Sequence, residues 1–139
     1  MRLRHPGMTL GYRLAPVAGG PSLAYVTDNE LGDGGDHETA PRWRSEFIRF
    51  LSDVDVLIHD AMYTPEELET HRGWGHSTFE EAVAVAAEGG VKRLVLFHHE
   101  PEHDDAALDR LVRDAKQYAA RVAPGLEVEA AVEGMQFPL

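Results

Sequence analysis

Three apolar runs in this sequence end in residues that can bind a metal or move a proton. YVT runs into Asp28, VLI into His59-Asp60, and LVLF into His98-His99. His5 stands ahead of a fourth strand-like run in HPGMTLGYRL, and His76 follows a glycine-flanked tryptophan in GWGHSTFEEA. Functional groups in α/β proteins gather where strands run out into loops, because the sheet fixes the backbone and the loop gives access. Neutral imidazole and carboxylate together suit Zn²⁺, Mn²⁺ or Fe²⁺. Histidine also titrates near neutral pH, which fits it for general acid–base work. Taken singly, each position has a plainer use. A strand-end histidine commonly serves as a structural hydrogen-bonder, and Asp28 and Asp60 suit turn formation or helix capping as well as ligation. His37, His71 and His103 lie in polar loops or at helix ends and read as solvated surface.

The elements that must position these residues alternate between strand and helix patterns. TLGYRLA (9–15) and SLAYVT (22–27) read as an antiparallel strand pair around the AGGP turn. NELGDGGDHETAP (29–41) is an acidic, glycine-rich loop, and PRWRSEFIRFLS (41–52) a helix with Trp43, Phe47, Phe50 and Leu51 on one side. VDVLIHD (54–60) suits a buried strand. TPEELETH (64–71) opens a helix with Thr64 as cap, Pro65 at the first position and Glu67 closing a capping box. A second capping box, Ser77 with Glu80, starts a helix carrying Phe79, Ala82, Val83 and Ala86, which stops at Gly89-Gly90. VKRLVLFHH (91–99) is the next strand. DDAALDRLVRDAKQYAARVA (104–123) is the longest helix, striped by Leu108, Leu111, Val112, Ala115, Ala119 and Val122, and LEVEAAVEG (126–134) is the last strand. Strands alternating with helices imply a layered α/β domain.

Length and composition set the outer limits. A chain of 139 residues with 43% hydrophobic and 27% charged residues suits one soluble globular domain. No apolar run approaches the ~20 residues that span a bilayer. The basic MRLRHPGM start has no apolar stretch behind it, so it does not read as a secretory signal and a cytoplasmic location is expected. The absence of cysteine excludes disulfides, thiolate chemistry and thiolate zinc sites. A formal net charge of −11 argues against a broad nucleic-acid face. It leaves room for a small phosphodiester or nucleotide-like substrate, because a metal ion reverses the local sign of charge.

The order of the segments resembles the metallo-β-lactamase-fold hydrolases, in their ribonuclease Z and phosphodiesterase-like branch. HPGMTLGYRL (5–14) is similar to the motif in which a ligand histidine precedes a Gly-Tyr-Arg strand, and YVTDNE (25–30) to the strand ending in a metal-bridging aspartate. LIHDAMY (57–63) is similar to the His-Glu-Ala-Thr segment, with Asp60 in place of the glutamate. GHST (75–78) resembles the His-Ser-Thr loop, VKRLVLFHH (91–99) the strand whose terminal histidine is a ligand, by register His98, and EGMQF (133–137) the usual ending. The signature His-x-His-x-Asp-His appears nowhere in the chain, and HHEPEHDD (98–105) has the residue types in another spacing. The resemblance is therefore to the C-terminal half of the fold.

What the resemblance implies is specific. The fold is expected to be the C-terminal half of the αββα sandwich, a mixed sheet with helices packed on one face, as a single partial domain over 1–139. His5, Asp28 and His98 are implied as ligands of a divalent metal, zinc first, with manganese or iron compatible. The implied reaction is phosphodiester hydrolysis by a metal-bound hydroxide, with His76 as general acid and Asp60 orienting it. His99 is at most a supporting residue, and Trp74 is expected to shield the loop. Each metal needs about three protein ligands, so these three cannot hold a pair. A half-fold also exposes a sheet face, which fits a homodimer or pairing with a separate N-terminal half. The competing reading is a truncated, non-catalytic α/β module that binds a partner or ligand.

Overall fold

The computed structural model describes residues 1–32, 37 and 42–136. Most of the acidic loop expected over 29–41, the helix start at Pro41 and the closing Phe137 therefore lie outside the described residues. Among the described residues, nine elements follow in chain order: β1 (Tyr12–Leu14), β2 (Leu23–Val26), α1 (Trp43–Leu51), β3 (Val56–Asp60), α2 (Pro65–His71), α3 (Phe79–Glu88), β4 (Arg93–Phe97), α4 (Asp105–Val122) and β5 (Glu127–Ala130). They form one five-stranded sheet in the order β1-β2-β3-β4-β5. β1 is antiparallel to β2, and the remaining pairs are parallel. The mixed α/β architecture expected from the strand and helix patterns is the one observed.

That topology puts the helices on one side. Each crossover from β2 to β5 steps in the same direction across the sheet, and right-handed connections then deliver every helix to the same face. The register agrees, since Ala24, Leu57, Leu94 and Val128 lie opposite one another across four strands. All four belong to the core with Phe47, Leu51, Val83, Ala86, Leu111, Ala115 and Ala119 from the helices. Phe47 is fully buried, stacked on Trp43 at 4.9 Å and edge-on to His59 at 6.0 Å. Burial of a side chain of this size contributes about 1.5–3 kcal/mol. The opposite face carries Tyr12, Leu14 and Tyr25, which remain open to solvent. The stripe on α4 ends earlier than expected: Val122, in the last turn, is exposed.

The start of the sheet is tied by Asp55. Its carboxylate accepts hydrogen bonds from the Ser22 N–H at 2.7 Å and from Lys92 Nζ at 2.6 Å, linking the entries to β2, β3 and β4. The Lys92 bond, followed by the Ser22 N–H, lowers the Asp55 carboxyl to about 2. A depressed folded value means stability that is present above the unfolded value near 4 and lost as pH falls towards 2. Asp55→Asn is therefore expected to lie below wild type in urea midpoint at pH 6, with the gap closing between about pH 4 and pH 2. A gap that stays constant across that range would remove Asp55 from the acid response.

Candidate functional site

The carboxyl ends of the three parallel strands β2, β3 and β4 supply the site. Asp28 follows β2, Asp60 ends β3 and His98 follows β4, and these strands are neighbours in register. Asp28 (φ 40°) and His98 (φ 57°) both adopt the left-handed region. Such a conformation in a non-glycine residue stores strain, and it turns each side chain out of its strand's path. His98 Nε2 lies 3.2 Å from Asp28 Oδ1, and His98 Nδ1 lies 3.6 Å from Asp60 Oδ2. His76 completes the cluster. Asp28, Asp60, His76 and His98 each offer a ligand atom within 4.8 Å of the others.

Asp60 is the hub. One carboxylate oxygen accepts the Met62 and Ser77 N–H groups, and the other accepts the Asn29 N–H and His76 Nδ1 at 2.7 Å. Burial on its own would raise the Asp60 carboxyl. The bond from His76, the contact with His98 and the charge of the nearby imidazoles outweigh it and bring the carboxyl to about 2. The carboxylate therefore stays ionised and fixes His76 with Nδ1 as the donor, leaving Nε2 as the other nitrogen that can carry a proton. His98 is raised by the adjacent Asp60 carboxylate against the opposing effect of burial. Its buried Nδ1 has no hydrogen-bond partner. Two imidazoles, two carboxylates and an orphaned ring nitrogen fit a divalent cation.

His5 sits at the rim. Its ring meets His76 edge-on at 5.5 Å, while Nδ1 accepts the Gly7 N–H at 3.0 Å, and burial lowers it. It is not a member of the four-residue cluster. His59 is fully buried and structural: Nδ1 donates to the Asp60 carbonyl at 2.6 Å, so Nε2 accepts from Asn29 Nδ2 at 3.2 Å. Burial lowers its titration and keeps it neutral. The other side of Asn29 accepts the Arg4 N–H, which ties the His5 segment to β3.

Further expectations from the sequence change at the site. The helix after His76 is capped by Thr78 with Glu81, one residue later than the expected Ser77 and Glu80. Ser77 is occupied elsewhere, donating from Oγ to the Asn29 carbonyl and accepting the Leu31 N–H. His37 is not solvated surface, since its side chain is 3% exposed and bonded to Glu30 at 2.9 Å. His103 is likewise held, by Glu67 at 2.7 Å, and His71 stacks on Tyr63 at 4.7 Å while Nδ1 donates to the Glu67 carbonyl. Trp74 is largely exposed, with its ring edge-on to His71. Asn29 and Glu30 carry no local signal of their roles, and Ser77 reads locally only as a helix cap. Nothing in TDNEL distinguishes the long-range partners of Glu30, which lie 43 and 45 residues away.

Comparison with known proteins agrees with this geometry. A ribonuclease Z from Lactococcus lactis subsp. cremoris is 36% identical over 86 residues, covering 62% of this chain and 26% of its own length. A ribonuclease Z from Sulfurisphaera tokodaii is 45% identical over 58 residues, which is 42% of this chain and 19% of that protein. The chain thus spans about a quarter of the length of these curated relatives. Among solved structures, the metallo-beta-lactamase fold protein YhfI from Bacillus subtilis superposes with a TM-score of 0.69 at 22% identity, over 97% of this chain and 46% of that one. Human tRNase Z, short form, superposes with a TM-score of 0.63 at 22% identity, over 99% and 42%. These two establish the fold. The model of the beta-lactamase superfamily domain matches residues 1–99, from His5 through all four clustered side chains, and this chain belongs to that superfamily.

Proposed function

We propose that this chain carries part of the active site of a metal-dependent phosphodiester hydrolase. The observation that carries the reading is the convergence of Asp28, Asp60, His76 and His98 at the ends of three adjacent parallel strands. Asp28 and His98 would hold a divalent ion, with His5 beside them. The mixed imidazole and carboxylate set favours zinc and also suits manganese or iron. When bound, the ion neutralises charge developing on the phosphoryl oxygens and activates a water. His76 supplies the proton to the departing oxygen from Nε2, because its Nδ1 is committed to Asp60. Asp60 keeps that imidazole oriented and stabilises its cation. Substrates of this class range from cyclic nucleotides to RNA ends. The exposed Tyr12, Leu14 and Tyr25 fit a covering second layer of the fold, bearing the further metal ligands absent here.

Metal content of the purified chain tests this reading. About one zinc, manganese or iron per chain is expected, with affinity falling at least about tenfold in both Asp28→Ala and His98→Ala. A folded wild-type chain that takes up no metal from any of the three would sink the hydrolase reading and favour a non-catalytic binding module.

A further inference from the structure

Glu30 is a carboxylate buried to 1% exposure that the reaction described above does not use. Both its oxygens lie 3.0 Å from the Gly73 N–H, and one accepts the Gly75 N–H at 2.9 Å. His37 Nε2 donates to the same carboxylate at 2.9 Å. The two glycine N–H groups and the His37 ring nitrogen thus converge on one buried carboxyl group, which takes up donors that lie 43 and 45 residues further along the chain. The gripped residues bracket Trp74 and lead directly into His76. Both glycines have left-handed backbones, φ 85° and 96°, and glycine has the largest backbone freedom to lose on ordering. A loop of this composition stays in one shape only if something outside it takes up its N–H groups.

We propose that Glu30 is the positioning residue of His76, clamping the Gly73–Gly75 loop so that the imidazole meets Asp60. Three successive residues then divide the assembly of the site. Asp28 meets His98, Asn29 bonds His59 and the Arg4 N–H, and Glu30 holds the loop that delivers His76. One short segment after β2 sets the spacing between the proposed metal ligand and the proposed acid. The inference rests on the proposed role of His76 for its functional meaning. Its structural content does not depend on metal or turnover.

Amide hydrogen exchange and imidazole NMR on the metal-free chain test it, comparing wild type with Glu30→Gln. In the variant, exchange at Gly73 and Gly75 is expected to rise tenfold or more while Val95, in the centre of β4, is unchanged. The hydrogen-bonded Nδ1–H signal of His76 is expected to disappear with it. Unchanged glycine exchange, a rise matched by Val95, or a persistent His76 signal would each overturn the clamp. If Glu30→Gln does not fold, wild type alone still decides: unprotected Gly73 and Gly75 amides exclude it, and slow exchange with a visible His76 Nδ1–H supports it. A chain that binds no metal but passes these tests loses the hydrolase reading and keeps the clamp.

Discussion

Asp60→Ala is expected to destabilise the chain by about 3–5 kcal/mol, measured as the change in unfolding free energy at neutral pH. The carboxylate is completely buried and takes up the N–H groups of Asn29, Met62 and Ser77 together with His76 Nδ1. Alanine leaves three backbone donors and an imidazole without their acceptor, and orphaned buried donors dominate the loss. Because these bonds join β2, β3 and the loop before α3, the damage spreads across the site. Asp60→Asn separates the effects. Its amide oxygen can still serve Met62 and Ser77, but its NH₂ then faces the Asn29 N–H and His76 Nδ1, two donors against a donor. The asparagine variant is expected to fold with a smaller loss and to bind metal at least about tenfold more weakly than wild type. An alanine variant as stable as wild type would show that Asp60 does not hold these elements together.

The reach of sequence reasoning in this chain follows the range of the interactions involved. Local signals are legible. Thr64, Pro65 and Glu67 form the capping box expected of TPEELETH, because every partner lies within three residues. The same logic meets two overlapping frames in STFEE, Ser77 with Glu80 and Thr78 with Glu81, and local chemistry does not separate them. Tertiary structure does. The Ser77 N–H is taken by Asp60 and its hydroxyl by Asn29, so the cap moves to Thr78. Asp28, Asp60 and His98 are legible for a different reason: they directly follow apolar runs, and parallel strands place their ends side by side whatever the loops do. Three histidines in polar stretches mislead. His37, His71 and His103 sit in polar sequence, yet each finds a partner contributed by the fold, and polarity along the chain says nothing about that partner. Glu30 is the extreme case, an acid in an acidic stretch whose donors are backbone groups of two glycines. Any residue has an N–H to offer, so no residue type marks the far side of such a contact.

Gly75→Ala is the second substitution expected to have a large effect, on local geometry as well as stability. At φ 96° an L side chain is strained, which costs on the order of 1–3 kcal/mol. A Cβ placed there would also lie 2.8 Å from Pro6 Cδ and overlap the His5 ring outright. The His5 imidazole is the movable partner, so it must swing away from its edge-on contact with His76, or the loop must pull back and stretch the Gly75 bond to Glu30. Either adjustment opens the rim of the site, and the strain and the lost packing together amount to about 3 kcal/mol. Urea unfolding reads the stability term, and the His5 and His76 ring resonances read the displacement. Gly73→Ala isolates the backbone contribution, because its φ of 85° is similarly strained while nothing lies within 4 Å of the added carbon. The difference between the two alanine variants therefore measures the contact between loop and His5. Equal losses at both positions, with the His5 resonances unmoved, would mean that the close approach at Gly75 does not help hold His5 at the rim of the site.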